Sequence, residues 1–234
     1  MRVGILRTDT VRPDFAEHFG QYPQMFHRLL GEVDPSLEFR DYDVEHGEYP
    51  DEIDEVDAYL ITGSKFSAYD DLPWIKQLIA FVQELHAARK KLVGICFGHQ
   101  LVAIALGGAV EKSERGWGVG IHSATFTSLP PWHDGGEAQF RILVSHQDQV
   151  VSLGDGMEVL AGSDFCPVAV TQVDEHILTF QGHPEFETGY SRALIELRGE
   201  SVGAQTYRCG LESLATMPEG PRVAAWIVRF LRGQ

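Results

Sequence analysis

The sequence is poor in cysteine, in basic side chains and in long apolar runs, and each shortage removes a class of protein. Its three cysteines, Cys96, Cys166 and Cys209, lie far apart with no C-x-x-C pair. That spacing suggests neither a disulfide framework nor a zinc site, and no metal or cofactor is expected. Nineteen Lys and Arg stand against 34 Asp and Glu, a formal net charge of -15. A field of that sign opposes loose binding to nucleic acid or to an anionic membrane surface, although a local pocket can still accept an anionic small molecule. No stretch approaches the ~18–20 consecutive apolar residues of a membrane span. The opening Met1-Arg2-Val3-Gly4-Ile5-Leu6-Arg7 is too short and too soon interrupted for a secretory leader. A soluble cytoplasmic protein is the expectation, and 234 residues without repeats or linkers suit one domain, 1–234.

What is present is an alternation of short apolar runs and amphipathic ones. Val3 to Leu6, Leu37 to Val44 and Asp57 to Thr62 read as strands; residues 8–21 read as a polar loop. Pro23 suits a helix start, with Met25, Phe26, Leu29 and Leu30 on one face and Gly31 as its stop. Pro73 to Arg89 is the clearest helix, because Trp74, Leu78, Phe81, Val82 and Leu85 recur with helical spacing. After Val110 the texture changes to consecutive short strands: 119–127, 140–144, 157–161, 167–173 and 176–181. Helices return over 190–197 and 221–231, with the segment 188–234 packed onto the rest. The pattern predicts a doubly wound, mostly parallel α/β sheet with an antiparallel extension and helices on both faces, a three-layer flavodoxin-like arrangement.

The stretch Leu92 to Leu101 carries the chemistry. An apolar strand runs into Gly94-Ile95-Cys96-Phe97-Gly98, and a helix leaves it. This G-x-C-x-G is the cysteine form of a nucleophile elbow, a turn too tight for Cβ atoms beside the nucleophile. The helix N-terminus beyond Cys96 favours thiolate over thiol, and the Phe97 N–H can later hold an oxyanion. A cysteine nucleophile needs a base and the base an orienter. His183 and Glu185, in Gly182-His183-Pro184-Glu185, are two residues apart on chain that Pro184 keeps extended, so both can project to one side. Cys96, His183 and Glu185 are the expected triad. His99 is read as structural, and Cys166 and Cys209 as inert packing residues.

Gly94 to Gln100 together with Gln181 to Phe186 resembles the class I (triad) glutamine amidotransferase family. Ser145-His146-Gln147-Asp148 matches a third signature of that family, and Ile61-Thr62-Gly63-Ser64 falls where its oxyanion loop follows a strand. The motifs stand in family order, and the resemblance runs from Val3 to about Phe186. It implies attack by Cys96 on the side-chain amide of glutamine or of a γ-glutamyl compound, through a thioester. It further implies an oxyanion hole from the N–H of Phe97 and one of the N–H groups at Gly63-Ser64. The glutamyl α-amino and carboxylate groups would meet Gln100, Arg115-Gly116-Trp117 and Ser145-His146. Where many members carry Gly-Gly-Pro, this chain has Gly63-Ser64-Lys65, so the identity of the second oxyanion donor stays open. The loop resembles that of a stand-alone branch, akin to the amidotransferase part of GMP synthase, that includes γ-glutamyl peptidases. The expected partner is a small γ-glutamyl substrate. The alternatives are a glutaminase subunit that delivers ammonia to a separate synthetase, and a non-catalytic binding protein on the same scaffold. Oligomeric state is left open.

Overall fold

Apolar runs bounded by polar turns become the strands of a central sheet, and the amphipathic runs become the helices that cover it. A computed structural model describes residues 1–234, the Glu200 side chain excepted. β1 (Arg2–Arg7) is followed by α1 (Pro13–Phe19), α2 (Tyr22–Val33), β2 (Glu38–Asp43), β3 (Ala58–Ile61), α3 (Pro73–Ala87), β4 (Lys91–Ile95) and α4 (Phe97–Ala105). Then come β5 (Ala109–Lys112), β6 (Gly118–Phe126), β7 (Gln139–His146), β8 (Asp148–Ser152), β9 (Met157–Gly162), β10 (Val170–Val173) and β11 (Ile177–Phe180). The chain closes with α5 (Thr188–Leu197), α6 (Gly199–Val202), α7 (Ala204–Ser213) and α8 (Gly220–Arg232).

Nine strands form one sheet in the order β2-β1-β3-β4-β11-β10-β9-β6-β7. β2, β1, β3, β4 and β11 are parallel, and the pairings from β11 outward to β7 are antiparallel. The register brings the carboxyl ends of the parallel strands level: Leu6 is opposite Ile61, Ile61 opposite Gly94, and Ile95 opposite Phe180. Loops leaving that edge are where open α/β sheets bind their ligands.

The two-residue period of the strands separates the cores. On β3, Ala58 and Leu60 join Val3, Ile5, Phe26, Leu30 and Trp226 under α2 and α8. Tyr59 and Ile61 point the other way, into the layer that holds Leu78, Val82 and Leu85 of α3 and Leu101 of α4. The three-layer arrangement expected from the sequence is therefore present. Each such fully buried aliphatic or aromatic side chain contributes about 1.5–3 kcal/mol. A third cluster, around Tyr190, Leu194 and Ile195 of α5, packs against Val119, Leu143 and Phe186.

Three local expectations need correction. Residues 8–21 are not all loop, because Pro13 opens α1. Phe15 and Phe19 of that helix set their rings edge-on to Tyr190, 6.2 and 5.3 Å away between centroids, a contact no local pattern signals. Gly31 does not stop α2, which runs two residues further until the Asp34 N–H closes on the Leu30 carbonyl at 2.9 Å. A glycine costs a helix only about 1 kcal/mol, and burial of Met25, Phe26 and Leu30 offsets it. Finally, β5 and β8 form a two-stranded ribbon of their own that the sequence reading did not recognise. Each is four or five residues long and finds its partner far along the chain.

His99 lies wholly within the fold, with Nδ1 2.7 Å from the Thr179 hydroxyl. Burial lowers its pKa from 6.5 to about 4, so the native state keeps it neutral while the unfolded chain protonates it. Its contribution is intact above pH 6.5 and is lost as pH falls towards 4, with a slope approaching 1.4 kcal/mol per pH unit from about one proton. His99→Gln is expected to flatten the acid limb of a stability–pH curve measured by urea unfolding between pH 7 and 4. An unchanged slope would contradict the assignment.

Candidate active site

The strand–turn–helix formed by β4 and α4 holds Cys96 at φ 52°, ψ -95°, a left-handed conformation that L-residues adopt at a cost of roughly 1–3 kcal/mol. Two close approaches leave the chain little alternative. A methyl group on Gly94 would lie 2.7 Å from the Gly98 carbonyl, and one on Gly98 would lie 2.8 Å from Ile61 of β3. The Cys96 N–H is held by the Phe180 carbonyl at 2.8 Å, which ties the elbow to the end of β11. Cys96 itself is 5 % exposed, with the first N–H groups and positive end of α4 behind it.

The segment after β11 supplies His183 and Glu185. The His183 N–H donates to the Leu143 carbonyl at 2.7 Å, which anchors this extended segment to β7. His183 Nδ1 and Glu185 Oε1 are 2.8 Å apart, both side chains are buried, and the imidazole stacks on Phe186 at 3.9 Å. Burial alone would lower the pKa of His183; the opposing charges of Cys96 and Glu185, with hydrogen bonds to both, outweigh it and raise the pKa. Gly63 fits between the two groups: a methyl there would lie 2.7 Å from His183 Cε1 and 3.7 Å from Cys96 Cβ. The fold thus brings together Cys96, His183, Glu185 and Gly63. Gln181 Nε2 adds a weak donor 3.5 Å from the sulfur.

The loop after β3 is fixed by side chains from the loop after β1. Asp9 accepts the Lys65 N–H at 2.8 Å and the Lys65 ammonium at 2.5 Å. The Ser64 hydroxyl donates to the Thr8 carbonyl at 2.9 Å and accepts the Phe66 N–H at 3.2 Å. Thr8 Oγ1 donates to the Gly63 carbonyl at 3.0 Å. The N–H groups of Lys65 and Phe66 are therefore engaged, whereas those of Gly63, Ser64 and Phe97 have no partner among the described residues.

A cleft of about 220 Å³ opens over the sulfur, and Ser64, Cys96, Phe97, Gln100, Trp117, Ser145 and His146 reach its wall. Gln100 Nε2 donates to the Asp148 carbonyl at 2.8 Å and to Gln181 Oε1 at 3.1 Å. His146 is buried with Nδ1 3.1 Å from the Asp148 carbonyl, and burial lowers its pKa to about 3, so it presents a neutral ring. Arg115 and Gly116 are not in the cleft wall; the Arg115 guanidinium donates to the Asp164 carbonyl instead. Sequence reasoning missed Lys65, Phe66, Ser67, Lys112, Asp148 and Arg198, all of which line the cleft. Lys65 to Ser67 adjoin a stretch already singled out, and Asp148 belongs to a motif already noted. Lys112 and Arg198 carry no local signal.

The structure is thus an α/β protein in which a cysteine at a strained strand-to-helix turn stands beside a buried histidine–carboxylate pair. The model of the family "Glutamine amidotransferase class-I" matches residues 15–197, and the chain belongs to that family. It is 34% identical over 251 residues to a glutamine amidotransferase-like protein of Schizosaccharomyces pombe, covering 98% of each chain. It is also 34% identical over 175 residues to gamma-glutamyl peptidase 4 of Arabidopsis thaliana, covering 72% of this chain and 69% of that one. Among solved structures, a glutamine amido transferase of Methylobacillus flagellatus superposes with a TM-score of 0.76 at 22% identity, covering 100% of this chain and 94% of that one, and shares the fold.

Because position 96 is left-handed, removing the thiol in two ways should separate strain from chemistry. Cys96→Gly is expected to be about 1 kcal/mol more stable than Cys96→Ala in chemical denaturation. Equal stabilities would remove the backbone argument.

Proposed function

We propose that this protein hydrolyses the γ-glutamyl amide bond of glutamine or of a γ-glutamyl compound through a Cys96 thioester. The observation that carries the reading is the convergence of Cys96 and His183 on Gly63, with Glu185 holding Nδ1 so that Nε2 is left for the sulfur. In the first half, the sulfur attacks the γ-carbonyl carbon and the carbonyl electrons move to oxygen. The N–H of Phe97 and that of Gly63 or Ser64 stabilise this oxyanion; removing one such donor costs an enzyme about 2.7–4 kcal/mol. As the oxyanion collapses, the C–N bond breaks and His183 passes a proton to the leaving amine. In the second half, water attacks the thioester, His183 takes its proton, and glutamate leaves with the thiolate restored. Glu185 keeps the imidazole in one tautomer and favours its charged form.

The 220 Å³ cleft is the expected seat of the glutamyl group, with Gln100, Trp117, Ser145 and His146 on its wall. Relatives named glutamine amidotransferase-like protein and gamma-glutamyl peptidase support this substrate class. Glutamate release by the purified chain should be measured with glutamine and with γ-glutamyl peptides. Cys96→Ser should lower kcat/KM by about a thousandfold or more. If the unaltered chain releases no glutamate from either substrate, self-sufficient hydrolysis is ruled out; release that begins only when a synthetase partner is added would assign it the subunit role instead.

A further inference from the structure

Most arginines of this acidic chain are paired with carboxylates, as Arg2 is with Glu38, Arg28 with Glu187, Arg222 with Asp134 and Arg232 with Asp34. Arg198 is different. It follows α5, is half-buried, and lines the cleft over Cys96. Its guanidinium carbon lies 5.0 Å from the centre of the Trp117 ring, and its Nη1 donates to the Ser145 hydroxyl. Both partners are neutral, and among the described residues no carboxylate pairs with it. Lys112, also in the cleft wall, is likewise without a carboxylate among the described residues, whereas the charge of Lys65 is offset by Asp9.

An arginine held over an indole and tied by one nitrogen is a fixed fork. It has five N–H donors and spends one on Ser145, leaving the rest in a plane suited to two-point capture of a carboxylate. A fully solvated arginine would gain nothing from such immobilisation; one that awaits an anion loses less entropy on binding it. The surroundings require local help, since the net charge of -15 disfavours approach of any anion. We propose that Arg198, seconded by Lys112, is a specificity-determining residue that binds a carboxylate of the substrate in the cleft. This rests on the γ-glutamyl reading above. A γ-glutamyl compound offers two sources of that carboxylate: the α-carboxylate of the glutamyl group and, in a peptide, the free carboxylate on the leaving side.

Binding can be separated from turnover by measuring it on the Cys96→Ser chain with calorimetry. The probes are γ-glutamylglycine, its C-terminal amide, glutamine, and glutamine with its α-carboxylate converted to the amide. Arg198→Met in that background is expected to weaken γ-glutamylglycine by about ten- to a hundredfold, and Arg198→Lys by less, because charge survives but the fork does not. The loss should vanish for the probe that lacks the recognised carboxylate: for the C-terminal amide if the leaving side is read, for the α-amide if the glutamyl end is read. Thermal unfolding checks that both variants fold. A loss of equal size for all four probes, no loss at all, or no binding of any probe to Cys96→Ser overturns the proposal. Turnover by the unaltered chain is scored separately. Arg198-dependent binding without glutamate release sinks the hydrolase reading and keeps this one; glutamate release without Arg198-dependent binding does the reverse.

Discussion

The structure depends on how closely α4 is pressed against the ends of β3 and β4. Gly98 meets Ile61 across a gap that admits no Cβ, and Gly94 meets Gly98 in the same way. With those contacts in place the chain must turn at position 96 through a left-handed residue, so its side chain is carried out above the sheet rather than into it. Bulkier residues at either glycine would push the helix off β3, and the alignment of every loop at that edge would change with it. The strain at Cys96 persists because both flanks over-determine it.

Parallel register then assembles the rest. With Ile61 opposite Gly94 and Ile95 opposite Phe180, the chain leaving β3 arrives at Gly63 and the chain leaving β11 arrives at His183, both beside Cys96 at the end of β4. The antiparallel strands beyond β11 also contribute, since the end of β7 carries Ser145 and His146 to the cleft and its Leu143 carbonyl holds the His183 backbone. Electrostatics follow the same geometry. A buried imidazole between a carboxylate and a sulfur is favoured as the cation, while His99 and His146, equally buried but without an opposing charge, are held uncharged. Ten histidines share one sequence, and the charge of these three is decided by what faces each ring.

The features legible in the sequence were those whose cause is local. The elbow at Gly94 to Gly98 states its own turn, because two glycines flank a cysteine between a strand and a helix. His183 and Glu185 could be paired because Pro184 restricts the backbone between them. The stripe of α3 and the alternation of buried strands announced helices on both faces of a sheet. Elements whose cause is distant were not legible. α1 owes its place to rings on Tyr190, β5 exists only because β8 lies beside it, and Arg115 turned away from the cleft to the carbonyl of Asp164. Which N–H groups of the loop after β3 stay free was likewise decided by tertiary structure, since it took Asp9 and Ser64 to engage those of Lys65 and Phe66.

Residue types and spacing alone thus indicated the family and the layered fold, and singled out Cys96, His183 and Glu185 as neighbours in one site, because these are properties of a few consecutive residues. Only the folded chain could decide that the sulfur and imidazole meet over Gly63, that His146 is neutral, and that Arg198 completes the cleft wall. Those depend on segments brought to one cleft from as far as 134 positions apart, as Ser64 and Arg198 are, and such contacts leave no periodicity or motif in the segments that make them.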